Sequence, residues 1–211
     1  SMNETNNKRH ISKIIVLVIS LIVLGISATY AYYTTIITGN PSTTTLNSGV
    51  IKIDTNLETV SAINNAKIAL IDNDQKETQA EKVNFYVTNT AKSTVSAKYY
   101  IYLKDIFLSK NLYSNYFHWE LLQNGTIINS GTFATATRTD AATTGEAANV
   151  ITSAADMALN TDALTIAANS TDNLIFRIWM ENDPDVNQIA LTNGSFSGRL
   201  YLEAVPVSEN A

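Results

Sequence analysis

The chain has 211 residues, no cysteine and a formal net charge of −5 at pH 7. The missing cysteine excludes disulfide bonds, thiolate metal sites and thiol nucleophiles. Residues 1–31 hold three basic side chains and one acidic one, so the remaining residues carry −7. An acidic surface repels phosphate backbones, which argues against nucleic acid as a partner.

The first 31 residues have the pattern of a secretory signal peptide. Three parts follow one another: the basic residues Lys8, Arg9 and Lys13, an apolar run at 14–28, and the small-x-small site Thr29-Tyr30-Ala31. The apolar run of about 15 residues is shorter than the roughly 20 that a membrane helix needs. We therefore predict that residues 1–31 form a hydrophobic signal helix, that signal peptidase cleaves after Ala31, and that the rest is exported.

An uncleaved membrane anchor is the alternative for this segment. If the apolar run is extended to Ile37, it becomes a longer and weakly polar stretch that could span a bilayer.

Residues 32–41 are predicted to be a free N-terminal strand and linker. Tyr, Thr and Ile favour strands, and Asn40-Pro41-Ser42 separates the segment from the predicted domain. An unpaired apolar strand is an aggregation hazard, so we predict that it pairs with the sheet edge of a neighbouring copy. Such head-to-tail contacts do not close and therefore build filaments. The strand could instead pair with its own domain or remain part of an anchor. The predicted contact residues are Tyr32, Tyr33, Thr34, Thr35, Ile36, Ile37 and Thr38.

Residues 42–211 are predicted to form one all-β domain. Apolar and polar residues alternate along four segments, which indicates strands with one buried face. With shorter candidates, the number of expected strands is eight or nine, and no βαβ rhythm is present. The sequence thus predicts a jelly-roll-type antiparallel β-sandwich. The alternating segments are 82–88, 95–104, 174–181 and 196–203, and the shorter candidates are 49–54, 66–72 and 163–167.

Two Asn-Gly pairs predict β-hairpins, because both residues tolerate the positive φ of a type I′ turn. Asn124-Gly125 lies between the candidate strands 117–123 and 126–133, and Asn193-Gly194 lies between residues 188–192 and 195–205.

Residues 141–160 interrupt the strand pattern with an excursion rich in Ala and Thr. We expect a surface connection with a helical turn at 154–159. A binding loop is the alternative, since long loops are often functional.

The residues that carry catalytic or metal chemistry are sparse after residue 31. His118 is the only histidine there, and the sequence contains neither HExxH nor GxSxG. Asp72-Asn73-Asp74 begins like a calcium loop, but Glu77 replaces its glycine and Val83 its last ligand. Asn182-Asp183-Pro184-Asp185 is typical of a turn. We therefore predict no catalytic residue, metal or cofactor, and a hydrolase is the least favoured alternative.

The sequence resembles the TasA and camelysin family of secreted bacterial proteins across most of its length. Six segments carry the resemblance, in this order: ATYAYYT at 28–34, SGVIKI at 48–53, FYVTNT at 85–90, AKYYIYL at 97–103, LIFRIWME at 174–181 and FSGRLYLE at 196–203. The resemblance implies a jelly-roll sandwich, export through a dedicated signal peptidase, and assembly into matrix fibres by donation of the N-terminal strand. Camelysin members are described as metalloproteases, but this chain has no histidine pair for such a site.

The expected function is therefore that of a secreted structural subunit of extracellular fibres or of a biofilm matrix. Its expected partners are further copies of itself, accessory matrix proteins and, during export, signal peptidase. The alternative is a surface-attached adhesin or carbohydrate-binding module, for which alternation predicts an exposed aromatic strip. The strip consists of Tyr86, Tyr100, Tyr102, Trp179 and Tyr201.

Overall fold

The computed structural model describes residues 35–37, 42–46 and 49–207. The predicted signal peptide, its cleavage residue Ala31 and the predicted contact residues Tyr32, Tyr33, Thr34 and Thr38 lie outside the described residues. The chain divides into two units, Ser1–Thr35 and Ile36–Ala211. The second unit is described below, together with the strand that begins at Thr35.

The described part of the chain contains fourteen strands and little helix, because most segments alternate between apolar and polar residues. The strands are β1 (Thr35–Ile37), β2 (Ser42–Leu46), β3 (Gly49–Thr55), β4 (Ala62–Lys67), β5 (Leu70–Ile71), β6 (Glu81–Asn89), β7 (Ala97–Ser109), β8 (Phe117–Gln123), β9 (Thr126–Thr132), β10 (Ile151–Ala154), β11 (Met157–Ala158), β12 (Leu164–Ile166), β13 (Ser170–Glu181) and β14 (Ser195–Pro206). The helices are single turns at Leu57–Val60 and Lys76–Gln79, and the 3₁₀ turns are Asn73–Gln75, Lys110–Leu112, Phe133–Thr135 and Ile189–Leu191.

Sheet I consists of β1, β4, β7, β10, β11, β12 and β14. Its centre is the antiparallel pair of the two long strands β7 and β14. The other edge of β7 is covered in succession by β10, β11 and β12, which run antiparallel to it. The other edge of β14 is paired with β4 and β1.

Sheet II consists of β2, β3, β5, β6, β8, β9 and β13. Its order is β2-β3-β6-β13-β8-β9, and all of these neighbours are antiparallel. The short strand β5 pairs in parallel with the end of β13.

The inner faces of the two sheets share one hydrophobic core. Ile101 and Leu103 of sheet I and Phe176 and Ile178 of sheet II are almost completely buried in it. Burying side chains of this size stabilises the fold by roughly 1.5–3 kcal/mol each. The chain passes from β6 in sheet II to β7 in sheet I, back to β8 and β9, and again through β10–β12, β13 and β14. The predicted all-β fold, an antiparallel β-sandwich, is therefore confirmed.

The predicted hairpin at Asn124-Gly125 is confirmed. It joins β8 to β9, and Asn124 and Gly125 have φ values of 50° and 84°. The hairpin predicted at Asn193-Gly194 is wrong, because its first arm contains a 3₁₀ turn at Ile189–Leu191 instead of a strand. The second arm is β14, as predicted.

Two further predictions differ from the structure. The expected helical turn at 154–159 is wrong, because the end of β10 and all of β11 lie there and pair with β7. The candidate strand at 66–72 is divided, since β4 ends at Lys67 in sheet I and β5 begins at Leu70 in sheet II. Both errors lie where short strands are held by tertiary pairing and lack regular alternation.

Among the residues that the structure describes, no helix is long and apolar enough to cross a membrane.

Candidate functional site

The outer edge of β14 is the place where the predicted contact strand meets the sandwich. On one side, β14 pairs with β7 from Phe196 to Pro206. On the other side, β4 pairs with β14 only between Ser195 and Arg199. β1, which contains the predicted contact residues Thr35, Ile36 and Ile37, is also a neighbour of β14. Leu200 also donates its backbone N–H to Ser61, the residue before β4, at 2.9 Å. Since a strand has two edges, residues 201–206 of β14 are the part left for β1.

The outer face of sheet I carries three of the five predicted aromatic residues. The rings of Tyr100 and Tyr102 lie 6.5 Å apart, and Tyr201 is the cross-strand partner of Tyr102. The ammonium of Lys104 lies 5.4 Å from the ring centroids of both Tyr102 and Tyr201. Burial and the nearby carboxylate of Glu203 raise the pKa of Tyr102. All three rings are partly exposed.

The predicted aromatic strip is not continuous, because Tyr86 and Trp179 belong to sheet II. Trp179 is also only 4% exposed, which contradicts its predicted exposure. Its ring is stacked on His118 at 5.1 Å and lies 5.0 Å below the ammonium of Lys76. The segment that contains the Lys76–Gln79 helix covers this part of the sheet, a contact that alternation alone could not reveal.

A buried ion pair lies next to Trp179 on the outer face of sheet II. Arg177, on β13, donates from Nε to Oε2 of Glu120 on β8 at 2.7 Å. Lys76 donates to the other carboxylate oxygen of Glu120 at 2.7 Å, and Glu77 pairs with Arg177 at 2.9 Å. These charges join the covering segment to the two central strands of the sheet.

His118 lies on the outer face of sheet II, as predicted, with its Nε2 2.8 Å from a carboxylate oxygen of Glu181. The two acidic turns considered for calcium meet in space, because the Asn182 amide donates to Asp72 at 2.9 Å. Within residues 35–37, 42–46 and 49–207, no group of three or more His, Asp or Glu side chains has the arrangement of a metal site.

The excursion before β10 is held together by Arg138. Its guanidinium donates to both carboxylate oxygens of Glu146, at 2.6 and 2.8 Å, and to Asp140 at 2.9 and 3.0 Å. Hydrogen bonds from Arg138 and Thr143 hold the pKa of Glu146 down at about 2. The hydrogen bond from Arg138 is also the main cause of the lowered pKa of Asp140. The exposed connection at 138–146 is therefore an ordered loop.

Two β-bulges face each other across β14 on the outer face of sheet I. On β7, the register shifts around Asp105, which has a φ of 50°. On β4, it shifts around Asn65, which has a φ of 48° and donates from its backbone N–H to the Ser197 hydroxyl at 2.8 Å. Non-glycine residues adopt this conformation at a cost of about 1 kcal/mol or more, and bulges are common beside binding sites.

A shallow, open cleft of about 320 Å³ lies at the two bulges. Its lining residues are Ala62, Asn64, Asp105, Phe107, Ser197, Gly198 and Arg199. Phe107 is 48% exposed, because its cross-strand neighbours are the small residues Ser153 and Ser197. This site was missed in the sequence. The sequence feature that indicates it is the polar pair Lys104-Asp105, which interrupts the alternation of apolar and polar residues along β7.

The fold is that of an antiparallel β-sandwich. No protein-family model matches the chain, and no curated protein matches it. Among solved structures, the crystal structure of dimeric latent PorU from Porphyromonas gingivalis is similar with a TM-score of 0.37 and 11% sequence identity. That match covers 83% of this chain and 14% of the PorU chain, and it does not bear on the resemblance to TasA and camelysin.

Proposed function

We propose that this protein is a secreted structural subunit of extracellular fibres or of a biofilm matrix, which assembles head-to-tail by donating its N-terminal strand. Its partners are further copies of the chain and accessory matrix proteins, and signal peptidase acts on it during export. The resemblance to the TasA and camelysin family and the signal-peptide pattern support secretion. The pairing of β14 supports the mode of assembly.

The observation that carries the proposal is the incomplete outer edge of β14. This strand has 12 residues, and β4 covers its outer edge only as far as Arg199. Leu200 bonds to Ser61, so the partner that remains for residues 201–206 is β1, which has three residues and precedes the rest of the domain. A short terminal strand contributes few backbone hydrogen bonds, and the same bonds form again when a neighbouring copy supplies the strand.

Exchange between copies extends into a filament, because the donor and acceptor surfaces are different parts of the molecule. A strand that leaves its own β14 exposes an acceptor edge and becomes a donor for another copy. Each added subunit then carries one unused donor and one unused acceptor, so the contact propagates without closing.

The test is negative-stain electron microscopy of two forms of the protein, one beginning at Tyr32 and one beginning at Ser42. We expect filaments from the first form and monomers from the second, because only the first contains β1. Thermal unfolding of the second form establishes that it is folded. Filaments from both forms, or monomers from both, would contradict strand donation.

A point substitution gives a sharper comparison. Ile36→Pro removes the central backbone N–H of β1, and proline cannot donate a hydrogen bond to a partner strand. We expect Ile36→Pro to abolish filaments and the matched variant Ile36→Val to retain them.

A further inference from the structure

We propose that the cleft between the two bulges of sheet I binds a neutral saccharide, such as a sugar unit of an extracellular polysaccharide. The proposal does not depend on strand donation, since the cleft lies on the face of sheet I beside the part of β14 that pairs with β4. It also gives the carbohydrate-binding alternative a definite location. The centre of that location is the cleft, whose lining residues do not belong to the aromatic strip predicted from the sequence.

The shape of the cleft suits a small polar ligand. Its volume of about 320 Å³ is at the lower end of the range for ligand sites, which is roughly 300–1,000 Å³. The bulges at Asn65 and Asp105 displace the strands on both sides of β14, so a depression forms over Ser197 and Gly198. Because these strands are paired along their length, the depression is preformed.

Phe107 supplies an apolar wall. The exposed face of an aromatic ring is electron-rich and attracts the polarised C–H groups on one face of a sugar ring. Ser153 and Ser197, on the two neighbouring strands, are too small to cover the Phe107 ring. The ring therefore remains accessible from the cleft.

The polar groups of the cleft provide both the donors and the acceptors that can form hydrogen bonds with sugar hydroxyls. A carboxylate only accepts hydrogen bonds, a guanidinium only donates them, and an amide does both. Asp105, Arg199 and Asn64 present these three types around the same cleft, and all three residues are exposed. Adjacent sugar hydroxyls, which both donate and accept, can bind to all of them.

The charges of the cleft favour a neutral ligand. Asp105 would repel an anion, and Arg199 would repel a cation. Arg199 takes part in none of the ion pairs formed within the described residues. Asp105 accepts a hydrogen bond from Tyr201 through Oδ2 at 3.0 Å, and its Oδ1 makes none within the described part of the chain.

The same hydrogen bond connects the cleft to the tyrosines on the outer face of sheet I. Tyr201 lies across from Tyr102, and Tyr102 is beside Tyr100. This row of partly exposed rings begins at the cleft and follows β7. We therefore expect a chain of several sugar units to bind more tightly than a single sugar.

Saturation-transfer difference NMR tests the proposal with the full chain in whatever assembly state it adopts. The probes are maltohexaose, cellohexaose and chitohexaose, with trigalacturonic acid as the anionic comparison. We expect saturation transfer from the protein to at least one neutral oligosaccharide and no transfer to trigalacturonic acid. Asp105→Asn, Arg199→Gln and Phe107→Ser should each weaken binding by about tenfold, which is typical for losing a hydrogen bond to a charged group or an apolar wall.

Two matched variants separate binding from folding. Ile127→Ser alters an equally exposed apolar residue on sheet II, and it should leave saturation unchanged. Phe107→Tyr preserves the aromatic face and should restore binding that Phe107→Ser removes. The same thermal unfolding midpoint for Asp105→Asn and the unaltered chain establishes that a loss of binding is local.

Three results would overturn the proposal. They are no saturation of any neutral probe, saturation that the three cleft variants leave unchanged, and a change in self-association in Phe107→Ser without any effect on saccharides. The last result would assign the cleft to a second copy of the chain. Strand donation is tested by electron microscopy of the forms with and without β1, and saccharide binding is tested by NMR. Failure of one proposal is therefore distinguishable from failure of the other.

Discussion

The hydroxyl of Tyr99 in sheet I donates a 2.7 Å hydrogen bond to Asp172 in sheet II, across the inside of the sandwich. The second carboxylate oxygen of Asp172 accepts from the Asn124 amide at 2.9 Å, and Gln123 donates to the Tyr99 hydroxyl at 3.3 Å. These bonds connect a central strand of each sheet with the Asn124-Gly125 turn. The network satisfies polar groups that would otherwise destabilise the core by about 1–3 kcal/mol each.

Tyr99→Phe should lower the free energy of unfolding by about 1–2 kcal/mol, because Asp172 loses a buried donor while the packing of the ring is retained. Urea unfolding at neutral pH measures the change. Tyr100→Phe is the matched control, since Tyr100 is the next residue on the same strand and faces outward. We expect it to change stability by less than about 0.5 kcal/mol. Equal effects of the two substitutions would contradict the role of the network.

Alkaline pH should destabilise the protein partly through Tyr99. Burial, followed by the hydrogen bond and the charge of Asp172, raises the pKa of Tyr99 well above its ordinary value of 10.0. The stabilisation linked to this proton is fully present below pH 10 and is lost as the pH rises further. Above pH 10, the loss should be smaller in Tyr99→Phe than in the unaltered chain by up to about 1.4 kcal/mol per pH unit. Urea unfolding at several alkaline pH values measures the difference.

Replacing only one member of the buried pair of Arg177 and Glu120 should lower the free energy of unfolding. Arg177→Met leaves a buried carboxylate with Lys76 as its remaining charged partner, and we expect a loss of about 3 kcal/mol in urea unfolding. The double variant Arg177→Met with Glu120→Leu should lie within about 1 kcal/mol of the unaltered protein, because both buried charges are removed together. Lys76 and Glu77 lose their partners, but both side chains reach solvent. Asp156→Asn, which breaks the exposed ion pair with Lys104, is the control and should have little effect.

Glu146→Gln should loosen the loop at 138–146, because it removes the charge that Arg138 holds with two hydrogen bonds. The pKa of Glu146 is lowered from 4.5 to about 2, so its contribution is present above pH 4.5 and is lost as the pH falls through about 2. Amide hydrogen exchange of residues 138–146 at pH 4 should therefore be faster in Glu146→Gln than in the unaltered protein, and the difference should disappear near pH 2. Asp162→Asn, in another exposed connection, should not alter exchange in the loop.

Strand exchange can be followed by cross-linking, because the chain has no cysteine of its own. One chain carries Ile36→Cys in β1, a second carries Glu203→Cys in β14, and the two are assembled together and treated with a bismaleimide. Covalent dimers of the two different chains are expected if β1 pairs in trans. The control replaces Glu203→Cys with Ile127→Cys on sheet II, and the same yield of dimers from that pair would contradict a specific contact.

The fold was predictable where local chemistry and the tertiary structure agree. Alternation along residues 82–88 and 174–181 identified β6 and β13, and Asn124-Gly125 identified a hairpin with positive φ at both residues. The hairpin predicted at the second Asn-Gly pair is absent, because tertiary contacts determine the structure of its first arm. Asn111 donates to the carbonyl oxygens of Ala190 and Thr192, which helps to hold a 3₁₀ turn there.

The cleft was not predictable in the same way, because it depends on the register between three strands. Asn64, Asp105 and Arg199 are far apart in the sequence and meet only when β4 and β7 pair with β14. Alternation indicates which side chains face outward but not which sheet they belong to. For this reason, alternation predicts a single strip that contains both Trp179 and Tyr201, although the two residues lie on different sheets.

The position of β7 at the centre of sheet I also determines when folding can finish. Its two edges are paired with β10, β11, β12 and β14, all of which come from residues 151–206. During synthesis, β7 (ending at Ser109) is complete before any of these partners exists, and its last partner, β14, begins only at Ser195. Pairings between such distant residues make folding slow, with typical times of milliseconds to seconds. The apolar residues of β7 therefore stay unprotected until β14 has been synthesised, and a chaperone that binds the unfinished chain would find an exposed apolar segment at this strand.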